Sequence, residues 1–260
     1  MARTQLPPPL PPETRTVGQL VAEAIRLYGA RFWPSLALGI GPALLGVAAA
    51  ELHGAVRVVL VLGVGPLVLA SSYAGAVALV RPIGRGRYVA VALAAGYLAF
   101  LPACVSRLWI FPGIYLVALA WLALVGLAVP AALVERRGYA DALRRGVQLA
   151  RADYVHALGS LATLAITIFL TGLVIFFSLR EGSGQALRIA AVLAFIVLAP
   201  LFVLGAAVLY VDQAARVESS PRARRRNSNG DLHSSFQPDG TGRADAEGEP
   251  RPPARGEQGR

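Results

Sequence analysis

Apolar residues fall in long unbroken runs through the middle of this chain, and polar residues gather at its ends and in short breaks between the runs. Six runs stand out, near residues 32–50, 58–80, 88–106, 108–134, 154–179 and 189–211. The fifth contains His156 near its start, and the other five contain no ionisable acid, Arg or His. A helix needs ~20 predominantly apolar residues to cross the ~30 Å hydrocarbon core of a bilayer, and every run meets or nears that length. The runs are continuous rather than alternating, so they do not read as barrel strands. The third and fourth are separated only by Arg107. As one helix they would extend about 70 Å at 1.5 Å per residue, so a tight hairpin is expected from Arg107 to Pro112-Gly113. The pattern predicts an all-α membrane protein with six transmembrane helices.

Two further segments have helical periodicity but only one apolar face. From Val17 to Arg31, Leu20, Val21, Ala24, Ile25, Leu27 and Tyr28 lie mostly together. From Gly138 to Tyr154, Tyr139, Ala142, Leu143, Val147 and Ala150 form a stripe, with Asp141, Arg144, Arg145, Gln148 and Arg151 facing away. Such helices are expected to lie in the headgroup plane, apolar face down, on the cytoplasmic side. Residues 1–15 are proline-rich and read as an extended, disordered arm. This arm lacks the basic start, apolar stretch and small-residue cleavage site of a signal peptide. Residues 16–218 form the expected membrane domain, and 219–260, rich in Gly, Pro, Ser and mixed charge, the expected disordered tail.

Composition sharpens this division. The chain is 55% hydrophobic and only 15% charged, against about a quarter charged in soluble domains. The net charge of +10 comes from 25 basic side chains, all of them Arg. Assigned to the loops of a six-span topology, 21 of the 25 fall on the side that holds both termini and 4 (Arg57, Arg107, Arg180 and Arg188) on the other. The positive-inside rule then predicts that both termini are cytoplasmic, with the chain in the inner membrane of a bacterium. The single cysteine, Cys104, excludes a disulfide framework and any cysteine-based metal cluster.

Sequence motifs for chemistry are missing. The chain contains no His-Glu-x-x-His and no Gly-x-Ser-x-Gly, and without Lys it cannot form a Walker loop. His53, His156 and His233 are scattered. No cofactor or metal is expected, and the chain does not read as an enzyme. Pro42, Pro66, Pro102, Pro130 and Pro200 interrupt five spans. Broken helices occur in transporters, but proline is also tolerated in membrane helices where neighbouring helices satisfy the freed backbone groups. Thr163, Thr167 and Thr171 share a face of the fifth span. They could line a polar path or bond their own helix one turn back. The deep parts of the spans lack the ionisable group that ion-coupled transport ordinarily needs.

Three polar features remain as candidates. Glu135 ends the fourth span, and Asp212 ends the sixth with Arg216 behind it, so these three are candidates for an interfacial ion-pair network. Arg222, Arg224, Arg225 and Arg226 follow the last span, and together with Arg144 and Arg145 they are the candidate contacts to anionic lipids. Nucleic acid is not an expected partner, because no folded module or stacking aromatic accompanies the arginines.

Several motifs also carry a resemblance. Thr16-Val17-Gly18-Gln19-Leu20…Ala24-Ile25-Arg26-Leu27-Tyr28, then Pro112-Gly113-Ile114-Tyr115…Pro130-Ala131…Glu135…Ala142-Leu143-Arg144-Arg145-Gly146, and finally Tyr210-Val211-Asp212 resemble a largely uncharacterised bacterial integral membrane family. That family includes YciC-like inner-membrane proteins and the membrane domain of some glycerophosphoryl diester phosphodiesterases. The resemblance covers roughly residues 16–218 and implies a multi-helix membrane fold. It implies no phosphodiesterase activity, because a polar tail stands where the fused enzymes carry a catalytic barrel. The expected function is that of a structural or accessory membrane protein contacting the bilayer, anionic lipids or an unidentified protein partner. The alternatives are a small-molecule or lipid transporter and a membrane-bound enzyme acting on lipid headgroups.

Overall fold

A computed structural model describes residues 11–108, 113–180 and 183–219. The chain divides into two units, Met1–Ser220 and Pro221–Arg260, and the second lies outside the described residues. Within the first unit all regular structure among the described residues is helical. We number the helices α1 (Val17–Ala30), α2 (Phe32–Glu51), α3 (Gly54–Val80), α4 (Arg87–Ser106), α5 (Gly113–Val134), α6 (Tyr139–Ala152), α7 (Tyr154–Leu179) and α8 (Gly184–Ser219). Six of them, α2 to α5, α7 and α8, are long and apolar enough to cross a membrane. The α4–α5 connection predicted as a hairpin is described only as far as Leu108, and 109–112 lie outside the described residues.

The spans run antiparallel, which gives the bundle two ends. At one end the Arg31 guanidinium donates to the Leu79 carbonyl and Gly84 N–H donates to Leu133 O at 2.8 Å. We call this the arginine-rich end, because the loops Arg81–Arg87 and Arg136–Arg145 lie there. At the opposite end Arg188 pairs with Glu51 across 3.4 Å.

Small residues set the helix spacing. Ala70, Ala92, Ala95, Ala99, Ala128, Ala131 and Ala132 are buried where the central helices meet. A Cβ on Gly96 would sit 2.5 Å from that of Ala70, so α3 and α4 approach as closely as only glycine allows. Lipid tails are as apolar as leucine, so this close contact, rather than a hydrophobic drive, holds such helices together.

The helix-interrupting prolines follow one pattern. Each lacks the N–H that would bond the carbonyl four residues earlier. Pro42 frees Leu38 O, which accepts from Ser72 Oγ on α3 at 2.9 Å. Pro66 frees Leu62 O, which accepts from Tyr97 Oη on α4 at 2.8 Å. Pro102 frees Leu98 O, which accepts from Trp121 Nε1 on α5 at 3.0 Å. Pro200 frees Ile196 O, which lies against Gly39 of α2 so closely that a Cβ there would overlap it. Pro130 frees Gly126 O, which takes Val129 N–H at 3.3 Å in a tighter turn, and α5 breaks there into Gly113–Val125 and Ala128–Val134. The sequence left a transporter-type break and neighbour satisfaction open, and the bonds at Pro42, Pro66 and Pro102 are neighbour satisfaction. They also stitch α2 to α3, α3 to α4, and α4 to α5.

The two amphipathic helices form, with one difference from expectation. Thr16 caps α1: its N–H donates to Gln19 Oε1 at 2.9 Å, and Gln19 N–H donates back to Thr16 Oγ1 at 3.5 Å. The apolar faces pack against protein. Leu20 and Ala24 of α1 and Ala142, Gly146, Leu149 and Ala150 of α6 are buried. At Gly146 an added Cβ would lie 2.5 Å from Ala128 N, so α6 packs onto α5 at the break above Pro130. The small residues of the stripe permit that approach, and periodicity alone does not separate it from contact with headgroups. The proline-rich arm also differs from an extended segment. Pro12–Thr14 form a single 3₁₀ turn, Arg15 joins the bundle, and residues 1–10 lie outside the described residues.

Candidate functional site

The densest polar cluster among the described residues sits at the arginine-rich end, on the last two turns of α8 and the helix junctions around them. It has two nodes. The first is Glu135. Arg136 follows it in a left-handed conformation (φ 54°), which turns the chain from α5 into the α6 approach. The Glu135 carboxylate accepts from Arg137 Nε at 2.6 Å, Arg145 Nε at 3.0 Å and Tyr210 Oη at 2.9 Å. One carboxylate thus ties the α5 terminus to α6 and to α8. Partial burial pushes its pKa up, but the hydrogen bonds from Arg137, Arg145 and Tyr210 together hold it below the usual carboxylate value.

The second node joins the chain termini of the bundle. Asp153 caps α7, its Oδ1 accepting from His156 N–H at 3.1 Å. Its Oδ2 pairs with Arg216 at 2.8 Å, and its backbone carbonyl accepts from Gln213 Nε2 at 3.2 Å. Arg216 also donates to Arg15 O at 2.7 Å, and Arg15 pairs with Asp212 at 3.0 Å. Asp212 is fully buried and Arg15 only 11% exposed. Asp212 Oδ2, Gln213 Oε1, Arg216 Nε and Ser160 Oγ are buried without a hydrogen-bond partner among the described residues. An uncompensated group of this kind costs ~1–3 kcal/mol.

The three residues predicted as an ion-pair network, Glu135, Asp212 and Arg216, are all in this cluster but do not pair with one another. Their partners are Arg137 and Arg145, Arg15, and Asp153 respectively. Of the arginines predicted for lipid contact, Arg145 is held by Glu135, and Arg144 is exposed on α6. Arg222, Arg224, Arg225 and Arg226 lie outside the described residues. Arg15, Asp153, Tyr210 and Gln213 were not read as site residues. Asp153, standing just before an apolar helix as its cap, carried the one local signal.

Chemically, the cluster is a set of closed pairs. Each of Glu135, Asp153 and Asp212 is matched to a guanidinium, and no group of three His, Cys, Asp or Glu able to hold a metal occurs among the described residues. Thr163, Thr167 and Thr171 are exposed, and each donates at 2.8 Å to the carbonyl four residues back in its own helix. They line no path. An internal void beside Tyr73 and Phe100 is about 10 Å³, at the lower limit for a single water. Comparison with protein-family models, curated proteins and solved structures finds no match to this chain.

Proposed function

We propose that this chain is a non-catalytic integral protein of the bacterial inner membrane, a structural or accessory component whose arginine-rich end faces the cytoplasm and holds anionic lipid headgroups. One observation carries the reading. Arg81, Arg85, Arg87, Arg136, Arg144 and Arg151 are exposed at that end and take part in no ion pair among the described residues. The carboxylates Glu135, Asp153 and Asp212 are engaged in holding the helices, so they do not neutralise this surface. Juxtamembrane arginines attract anionic headgroups by ~1 kcal/mol each. The motif resemblance to YciC-like membrane proteins implies a multi-helix membrane fold with no established chemistry.

The test is stability in bilayers of defined charge. The purified chain is placed in nanodiscs of phosphatidylglycerol or phosphatidylcholine and unfolded thermally. Stabilisation by phosphatidylglycerol is expected, weakened by high salt, and reduced by about 1 kcal/mol per residue in Arg85→Gln and Arg144→Gln. Equal stability in the two lipids would overturn the reading.

A further inference from the structure

The opposite end of the bundle holds a cleft that none of the readings above uses. It has a volume of about 1110 Å³, just above the ~300–1,000 Å³ typical of ligand pockets. Its sides are α2 from Pro42 to Glu51 and α8 from Arg188 to Phe195, and its back wall includes Val61 of α3 and Cys104 of α4. Helix irregularities border it: Pro42 on α2, Pro102 on α4, and a π turn at Leu60–Val64 of α3 just before Pro66. Turns of that kind recur at functional sites. The cleft ends where Gly39 closes on the Ile196 carbonyl and α2 and α8 meet again.

We propose that this cleft is a binding site for an anionic phospholipid, entered sideways from the leaflet at that end. Its depth supports this. From Pro42 to Glu51 is about 14 Å of helix at 1.5 Å per residue, and half of a ~30 Å hydrocarbon core is about 15 Å. The slot is therefore one leaflet deep. Its body is lined by Ala, Val, Leu, Ile and Phe, which suits acyl chains. Its ionisable groups, Glu51, His53, Arg107 and Arg188, lie at the mouth, at headgroup depth. Arg107 takes part in no ion pair among the described residues, and the Arg188–Glu51 pair is 79% and 64% exposed, so it opens at little cost. A phosphodiester can accept hydrogen bonds from both guanidiniums, and its single negative charge together with that of Glu51 balances the two, which favours a headgroup of net negative charge. The proposal does not depend on which side of the membrane this end faces.

The experiment is photo-crosslinking of the full-length purified protein with phosphatidylglycerol carrying a diazirine midway along one acyl chain, with matched phosphatidylcholine as comparison. Crosslinks are expected on α2 after Pro42 and on α8 between Arg188 and Phe195. Gly46 lines the cleft with open space around its missing Cβ, so Gly46→Leu fills the slot without a clash. It should lower crosslinking there about tenfold, and Ala191→Leu on the facing helix should repeat the effect. Arg107→Gln combined with Arg188→Gln should abolish the preference for phosphatidylglycerol over phosphatidylcholine. Labelling of the exposed α7 face at Ile166–Phe177 as strong as that of the cleft would overturn the proposal. So would unchanged labelling in both filled variants, or equal labelling by the two lipids in the wild-type chain.

Discussion

Ser72, Tyr97 and Trp121 each donate to a carbonyl that a proline on the neighbouring helix has released. In a bilayer such a carbonyl has no water to turn to, so the donor and the proline form one unit. A double-mutant cycle tests this. Ser72→Ala should cost about 0.6–1.7 kcal/mol in the wild-type background. In Pro42→Ala, where the N–H of residue 42 can bond Leu38 O itself, the same change should cost close to nothing in detergent unfolding. Gly39 gives a second contrast. Gly39→Ala would drive a Cβ into the Ile196 carbonyl and should destabilise by about 1–3 kcal/mol. Gly46→Ala, with nothing within 4 Å, should be neutral or stabilise by up to about 1 kcal/mol. The prolines were visible in the sequence. Their partners were not, since the donors lie 34, 35 and 23 residues from the freed carbonyls and only the register of the packed helices brings them together.

Helices α1, α6 and α8 are locked by carboxylates that each serve more than one element. Glu135 holds α6 through Arg145, and its pKa lies below the ordinary value near 4.3. A depressed folded pKa contributes stability that is present above the unfolded value and lost as pH falls through the folded one. The protection of the Tyr139–Ala152 amides, measured as exchange relative to the free peptide at the same pH, should therefore stay high near neutral pH and fall on acidification below about pH 4. Glu135→Gln should remove that dependence. At the other node, Arg15→Ala removes the hydrogen-bonded partner of buried Asp212 and leaves only the more distant Arg216 charge, at a cost of up to about 3 kcal/mol. Arg15→Ala with Asp212→Asn should recover much of the loss, because the buried charge is gone. Glu135, Asp212 and Arg216 were legible as charges at the ends of spans. That Asp212 pairs with Arg15 was not, because that pair closes across 197 residues and Arg15 belongs to a segment read as an extended arm.

For the whole molecule, six apolar runs translate into six helices able to span a bilayer, because continuous hydrophobicity over that length has no other stable arrangement in lipid. The cleft had no such signature. It is lined by residues of α2, α3, α4 and α8 that lie far apart in the chain, and single-chain periodicity does not report how neighbouring helices come together. The proposed function and orientation both rest on the arginine distribution: 21 of 25 on the side of the termini in the six-span reading. The most direct measurement places periplasm-active and cytoplasm-active reporters after Gly54, after Gly138 and after Gly182. Reporters after Gly54 and Gly182 should read periplasmic and that after Gly138 cytoplasmic. A cytoplasmic reading at Gly54 or Gly182 would contradict the six-span topology with its arginine-rich end inside.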